Sequence, residues 1–324
     1  MLAEGLRDAL NQAGHRAELV SLPFQWLPHA ELFKSALAWR LLDLTVANGA
    51  KIDRIIATKF PSYAARHPNK IVWLVHQYRQ AYDWHGTPLS EFTAAPQDQQ
   101  TREKLFKLDR RVLSEARARF AISKNVAARL KRFNALDATP LYPPPKLTGK
   151  FFAGEYGAYI LYVGRLDRAK RIDLLLRALA KTKRGRVIIA GAGAEEQNLK
   201  RLASRLDIAS RVEFSGFVDD ARVIELYANA RAVYYAPVDE DYGFATVEAL
   251  MAARPVITTD DAGGVLEFIE NANDGWVTRA EASEIALALT RAFEDGETCR
   301  ALGERGRERA RAISWDAVVT ALTA

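Results

Sequence analysis

Residues 238–256 read VDEDYGFATVEALMAARPV, directly after the apolar run RAVYYAP at 231–237. The run is rich in β-branched and aromatic residues, and ATVEALMAA has the composition of a helix. PVITTD at 255–260 then reads as another strand. Strand, loop, helix and strand in that order predict a β-α-β unit and a parallel sheet. Two carboxylates, Glu240 and Glu248, stand eight apart around Gly243-Phe244-Ala245-Thr246, the step that leads into the helix. Acidic residues favour helix N-termini on electrostatic grounds alone. The same placement also lets Glu240 accept from ligand hydroxyls, with Glu248 doing so further along the helix. Spacing alone leaves both readings open. Asp239-Glu240-Asp241 is in addition a literal D-x-D, a pattern associated with divalent metals.

Outward from this stretch the alternation continues. YILYVGRL (159–166), RVIIAGAG (186–193) and RVEFSGFV (211–218) read as buried strands. IDLLLRALAKTK, EEQNLKRLASRLDIA and DDARVIELYANA read as the helices between them. On the N-terminal side, RAELVSL (16–22), RIIAT (54–58), KIVWLVHQ (70–77) and RFAIS (119–123) read as strands, with a helical pattern in VAARLKRF (126–133). The chain opens on helical spacing, LAEGLRDALNQAG, with leucines at 2, 6 and 10 and Gly14 as its stop. TPLYPPPKLTGK (139–150) is a stiff connector, because three consecutive prolines continue neither a helix nor a central strand. Two α/β domains follow as the expected architecture, residues 1–142 and 143–305. A final helix at about 306–324 is expected to pack back on the first domain.

The 324 residues are 49% apolar and 27% charged, ordinary for a globular protein. A single cysteine, Cys299, excludes an intrachain disulfide and a cysteine-based metal cluster, and fits a reducing, cytoplasmic setting. No window offers the ~20 uninterrupted apolar residues of a membrane span, and the first residues lack the pattern of a signal peptide. Charge divides unevenly. Residues 1–146 hold 22 Lys+Arg against 13 Asp+Glu, a net of +9, and residues 147–324 hold 24 against 27, a net of −3. The first half is therefore expected to face something anionic, or else to carry solvated helix faces. Nucleic acid is not expected, because the basic half has neither interleaved aromatics nor a recognisable module. FKSALAWRLLDL (33–44) reads either as a core-packing helix or as an interfacial one with Trp39 and Arg40 at lipid headgroups.

Further candidate residues sit at strand ends, where open parallel sheets bind ligands. Arg165 and Lys170 lie in the turn after YILYV, beside a helix start that itself favours anions. Gly191 and Gly193 follow RVIIA, and Gly216 follows RVEFS, each permitting close approach of a backbone or a ligand. Gly263-Gly264 leads into another helix start. His76 closes KIVWLV, where it can donate to a phosphate or sugar oxygen, or simply pack.

Taken together, GRLDRAK (164–170), AGAG (190–193), SGFV (215–218), EDYGFATVE (240–248) and PVITTDDAGG (255–264) resemble the retaining glycosyltransferases of GT-B fold, family 4 type. WLVHQYRQAYDWHG (73–86), AISKNVAARL (121–130), LYPP (141–144) and ISWDAV (313–318) resemble further segments of that family. The resemblance implies two Rossmann-like domains facing across a cleft. It implies a nucleotide diphosphate sugar as donor and co-substrate, with no cofactor and no metal. Arg165 and Lys170 would neutralise the diphosphate, and Glu240 would contact the sugar. Glu248 would contact the ribose, and His76 would orient the sugar from the opposing domain. Gly191, Gly193, Gly216, Gly243, Phe244, Ala245 and Thr246 would line the donor site. With Glu240 in an E-x7-E motif and two cations on the diphosphate, the D-x-D is expected to be coincidental. The implied acceptor is a glycan, a lipid-linked or another cell-envelope molecule, reached from the cytoplasm or from the inner face of the membrane. Members of this family open with a strand and a glycine-rich loop. Neither precedes the first helix here, so an incomplete first-domain sheet is expected. A catalytically impaired nucleotide-sugar or membrane-surface binder is the alternative.

Overall fold

The structure, a computed structural model, describes residues 2–324. The chain divides into two compact units, residues 1–143 with 315–324, and residues 144–314. The division falls inside the proline run Pro143-Pro144-Pro145.

In the first unit, α1 (Leu2–Gln12) buries Leu6, Ala9 and Leu10 on one stripe, and α2 (Glu31–Leu41) buries Leu32, Ala36 and Trp39. A two-residue hairpin follows, β1 (Val46–Ala47) and β2 (Ala50–Lys51). The sheet consists of β3 (Ile55–Lys59), β4 (Lys70–His76), β5 (Ala118–Ala121) and β6 (Thr139–Pro140), all parallel and in that order. Its connections carry α3 (Pro96–Ser114), with proline in the first turn where its missing N–H is harmless, and α4 (Lys124–Asn134). Ser123 caps α4 by accepting from the Val126 amide at 3.0 Å. Lys70 opens β4 fully buried, its ammonium donating to the carbonyls of Tyr63, Ala65 and Val112.

Two expectations fail here, and an open alternative closes on the core-packing side. RAELVSL (16–22) forms no strand. Its alternation suits a sheet edge, but a strand exists only where a neighbour supplies its hydrogen bonds. Among the described residues β3 pairs only with β4, and Leu19 and Val20 stay exposed. Trp39 is buried and Arg40 is held by both oxygens of Glu115 at 2.6 Å, so neither is presented to headgroups. The final stretch is two helices rather than one. The first ends at Ala310 and the second runs Trp315–Thr323. Ser314 before the second and Asp316 in its first turn are residue types that favour a new helix start. That closing helix belongs to the first unit, with Trp315 edge-on to Trp73 at 6.4 Å.

In the second unit, β7 (Tyr159–Val163), α5 (Ile172–Leu179), β8 (Arg186–Ala190), α6 (Glu196–Arg205), β9 (Val212–Gly216), α7 (Asp220–Asn229), β10 (Ala232–Tyr234), α8 (Phe244–Met251) and β11 (Val256–Thr259) alternate as the sequence predicts. A further strand, β12 (Gly275–Thr278), is too short and too mixed in composition to stand out before folding. Then come α9 (Ala282–Glu294) and α10 (Gly296–Ala310), whose Cys299 is buried with its thiol pushed up to about 12 by desolvation. The sheet is parallel throughout, in the order β12-β11-β10-β7-β8-β9. Its central strands are apolar on both faces, with Leu161, Ile189, Val233 and Ile257 fully buried, as helices on each side require.

Candidate functional site

The strand order of the second sheet locates its site. From β7 the chain moves outward to β8 and β9, then returns to place β10 on the other side of β7. Connections leave β7 and β10 in opposite directions, which opens a crevice beyond their carboxyl ends. Lys170 lies in the loop after β7 and Glu240 in the loop after β10. Adjacency of two strands distant in sequence thus brings the two side chains together.

Lys170 Nζ pairs with Glu240 Oε2. Tyr235, the residue after β10, completes the cluster: its hydroxyl donates to the same Glu240 oxygen at 3.0 Å and accepts from Lys170 at 3.1 Å. Lys170 and Glu240 keep only 12% and 18% of their side-chain surface in solvent. At that burial the pair is electrostatically stronger than on an open surface. Burial and the adjacent Glu240 carboxylate push the Tyr235 phenol well above its usual range, so it remains a neutral donor. Arg165 is not drawn in. Its side chain is 81% exposed, with Asp167 at 3.5 Å, although its backbone is tied down by the Tyr162 hydroxyl at 2.7 Å.

Arg171 is the brace of the crevice. It adopts the left-handed conformation, φ 50°, between the turn carrying Lys170 and α5. Its guanidinium donates to the carbonyls of Ala236 and Pro237 at 2.8 Å and grips both Asp261 oxygens at 2.7 and 2.8 Å. Three loops, after β7, β10 and β11, are therefore clamped by one planar fork.

Glycines let the neighbouring loops close. A Cβ on Gly191, φ 137°, would sit 1.9 Å from the Gly164 carbonyl oxygen, and one on Gly193 would sit 2.3 Å from that of Leu166. Backbone packs on backbone here, which leaves no room for a side chain between the loops after β7 and β8. Gly216 is different: its φ is 64°, open space surrounds it, and Phe217 beside it is 88% exposed.

Gly243, φ 92°, turns the chain into α8. The first amides of that helix, at Phe244 and Ala245, precede any intrahelical acceptor and leave a donor-rich end. Thr246 is fully buried and its hydroxyl has no partner among the described residues. Glu248 is half-buried a turn later and accepts from the Tyr227 hydroxyl at 2.9 Å; burial lifts its carboxyl to about 6. The Gly263-Gly264 turn runs back along this loop, with the Gly264 amide donating to the Glu240 carbonyl at 2.7 Å. Asp239 takes a φ of 40°, and no group of three or more potential ligand side chains among the described residues is arranged around a metal position.

His76 lies in the first unit, at the end of β4. Its Nδ1 is 2.6 Å from the Gln77 carbonyl oxygen, which can only accept, so Nδ1 is the donor of that contact. Behind it runs a wholly buried polar chain. Gln77 donates to Asn134 at 3.0 Å, Asn134 to the Tyr82 hydroxyl at 3.3 Å, and Tyr82 to Asp109 at 2.6 Å. Desolvation raises Asp109 to about 7.

Tyr235, Arg171, Tyr227 and Asp109 escape a reading of motifs. Tyr235 and Tyr227 look like core aromatics in sequence, and Arg171 looks like one more cation in a basic turn. The only sequence signal for Arg171 is its place immediately before an apolar helix, where a side chain can reach back to the strand ends.

A sequence profile for the family described as glycosyl transferases group 1 matches residues 148–309. An uncharacterized glycosyltransferase of Methanocaldococcus jannaschii is 34% identical over 140 residues, 42% of this chain and 36% of that protein. The D-inositol 3-phosphate glycosyltransferase of Mycolicibacterium smegmatis is 30% identical over 170 residues, 51% of this chain and 39% of that protein. The chain thus spans well under half the length of these curated relatives. Among solved structures, sucrose-phosphate synthase from Thermosynechococcus elongatus superposes with a TM-score of 0.77 at 21% identity, covering 98% of this chain and 90% of that one. HepE of Anabaena, in complex with UDP and glucose, gives 0.70 at 19% identity over 98% and 87%. Likeness at such identities speaks for the fold alone, an α/β chain of two Rossmann-like units.

Proposed function

The chain belongs to the glycosyl transferases group 1 family, and from that premise we propose that it is a retaining, metal-independent glycosyltransferase of the family 4 type. It moves a sugar from a nucleotide diphosphate sugar to a glycan, lipid-linked or other cell-envelope acceptor. The work is done in the cytoplasm or at the inner face of the membrane. The observation that carries this reading is the Lys170–Tyr235–Glu240 cluster at the crevice between β7 and β10, beside the first amides of α8.

Lys170 neutralises Glu240. A diphosphate entering the crevice competes for that ammonium with more negative charge than one carboxylate carries. Arg165, exposed and loosely held, is free to swing onto the same group, and the two cations stabilise the diphosphate as it leaves. Glu240, released from Lys170 and still held by Tyr235, then accepts from sugar hydroxyls. Glu248, ionised above a pH of about 6, accepts from the ribose hydroxyls, and the α8 amides and the Thr246 hydroxyl supply further donors. By the resemblance, His76 would orient the sugar. The resemblance to a structure holding UDP and glucose supports UDP-glucose as the first donor to try.

The test is turnover of a panel of nucleotide sugars, read as donor consumption and product, with Glu240→Gln, Lys170→Ala and Arg165→Ala beside the parent chain. Each substitution is expected to lower kcat/KM by about a hundredfold or more with the fold intact, the size of effect seen when preorganised charge is removed. Equal rates in all four proteins overturn the assignment. Activity lost to a chelator and restored by manganese revives the D-x-D.

A further inference from the structure

Arg171 holds a backbone conformation that favours glycine. Its φ of 50° lies in the left-handed region, where a Cβ crowds the neighbouring carbonyl. Glycine would make the same turn into α5 without that strain, so what the arginine contributes is its side chain, which is mostly buried. The guanidinium reaches both segments that hold Glu240. On one side Nε donates to the Ala236 carbonyl and Nη2 to that of Pro237, just upstream of Glu240. On the other, Nη1 and Nη2 take the two Asp261 oxygens, and Nη2 meets the Thr259 hydroxyl, which itself donates to Asp261 at 2.8 Å. Between these two anchorages runs a short ladder. The Asp239 amide donates to the Asp261 carbonyl at 3.0 Å and the Glu240 amide to that of Ala262 at 3.1 Å. The Gly264 amide returns to the Glu240 carbonyl, and the Val238 amide meets the carbonyl of Ala169 beside Lys170 at 2.8 Å. Glu240 thus sits on backbone outside any helix or long strand, and one fork grips both sides of it. Because Lys170 and Arg171 are consecutive, the turn that carries the ammonium also fixes the loop that carries the carboxylate.

We propose that Arg171 is a positioning residue for sugar transfer. Acting through the backbone of Glu240, with Asp261 as its partner, it sets where that carboxylate stands against the donor sugar. The inference rests on the proposed function for the role of Glu240, and on the hydrogen bonds above for the placement. A displacement of about 1 Å in a group that orients substrate costs on the order of a hundredfold in rate, so a loop without its own secondary structure needs an outside support. Lysine at this position would keep the charge but not the planar fork that spans three loops.

Amide hydrogen exchange of the whole chain, read without donor, tests the placement. In Arg171→Gly, whose backbone holds the left-handed turn freely, the amides of Asp239, Glu240 and Gly264 are expected to exchange about tenfold faster or more, while those of β7 and β10 keep their protection. Arg177→Ala, at an exposed position on α5, is expected to change none of them. Turnover tests the consequence. Arg171→Gly is expected to lower kcat about tenfold or more, with KM for the donor moving less, and Arg171→Lys nearly as much. Placed in a Glu240→Gln chain, Arg171→Gly is expected to add less than about a factor of two, because the carboxylate it acts through is gone. A general loss of structure would instead multiply the two effects. Asp261→Asn weakens one end of the grip at a half-exposed side chain, so it is expected to repeat both effects more weakly and to decide the matter if Arg171→Gly does not fold. Unchanged exchange at Asp239 and Glu240 overturns the proposal, and so do losses that multiply. A parent chain that turns over no nucleotide sugar breaks the proposed function, while the hold of Arg171 on Glu240 stands or falls on the exchange alone.

Discussion

The second unit builds its crevice by laying one loop's backbone on another, whereas the first secures the end of β4 with a chain of buried side chains. In the second unit the close contacts are Gly191 on Gly164 and Gly193 on Leu166, with the Arg171 fork across three loops. In the first, Gln77, Asn134, Tyr82 and Asp109 pass hydrogen bonds through the buried interior to α3. Backbone contact tolerates no added atom but is indifferent to pH. A buried polar chain accepts shape changes more readily, yet depends on the protonation of its acidic end. The two units are therefore expected to fail in different ways.

The sharpest break is Gly191→Ala. A methyl group 1.9 Å from a carbonyl oxygen at φ 137° has nowhere to go, and the loop after β8 must separate from that after β7. Unfolding by urea should show a loss of about 3 kcal/mol or more. A stability within about 0.5 kcal/mol of the parent would mean the two loops are not packed as described.

Next in size is Asp109→Asn, which should change how stability depends on pH. The folded protein holds Asp109 near 7, above the carboxyl's ordinary value. Its protonated form is therefore the one the fold favours. That contribution is complete below the ordinary carboxyl range and is lost as pH rises through about 7, at about 1.4 kcal/mol per unit of displacement. Urea melts at about pH 5 and about pH 8 should thus show the parent gaining on the variant at the lower pH by a few kcal/mol. A difference that does not move with pH would remove Asp109 from the buried network.

Tyr235→Phe takes one hydroxyl from the cluster and leaves the ring in place. Glu240 loses a donor and Lys170 an acceptor, and kcat/KM is expected to fall about tenfold, the loss going into kcat more than into KM. An unchanged kcat would mean that Lys170 alone sets the position of Glu240. The mildest is Gly216→Ala, where φ is 64° but nothing lies within reach of a new methyl group. A melt should register only the left-handed strain, about 1 kcal/mol. A loss as large as that at Gly191 would show a contact at this strand end where open space is described.

The same contrast explains what could be read before folding. Motifs in the second unit are legible because backbone packing demands glycine, and glycine is visible in any sequence: Gly191 and Gly193 lie against neighbouring backbone, and Gly243 turns the chain into α8. Glu240 and Lys170 stand seventy residues apart, and they could be joined only once the alternation of strands and helices placed β10 beside β7. Tyr235 and Arg171 were invisible because a phenol in an apolar run and an arginine in a basic turn have many ordinary uses. In the first unit RAELVSL had the period of a strand without a partner to make it one. The helix α3, with its long polar stretch PQDQQTREK, gave no apolar stripe until its second half.

The Lys170–Glu240 ion pair also sets a rule about which molecules can alter it. Separating Lys170 from Glu240 leaves two poorly hydrated charges, and that is costly unless each finds a new partner. A free sugar offers hydroxyls to the carboxylate but nothing to the ammonium. Inorganic phosphate offers the reverse. Under the proposed function, only a molecule presenting both a strong anion and a set of hydroxyls would satisfy both residues at once, so the crevice would discriminate by joint occupancy, with either half alone meeting a closed pair.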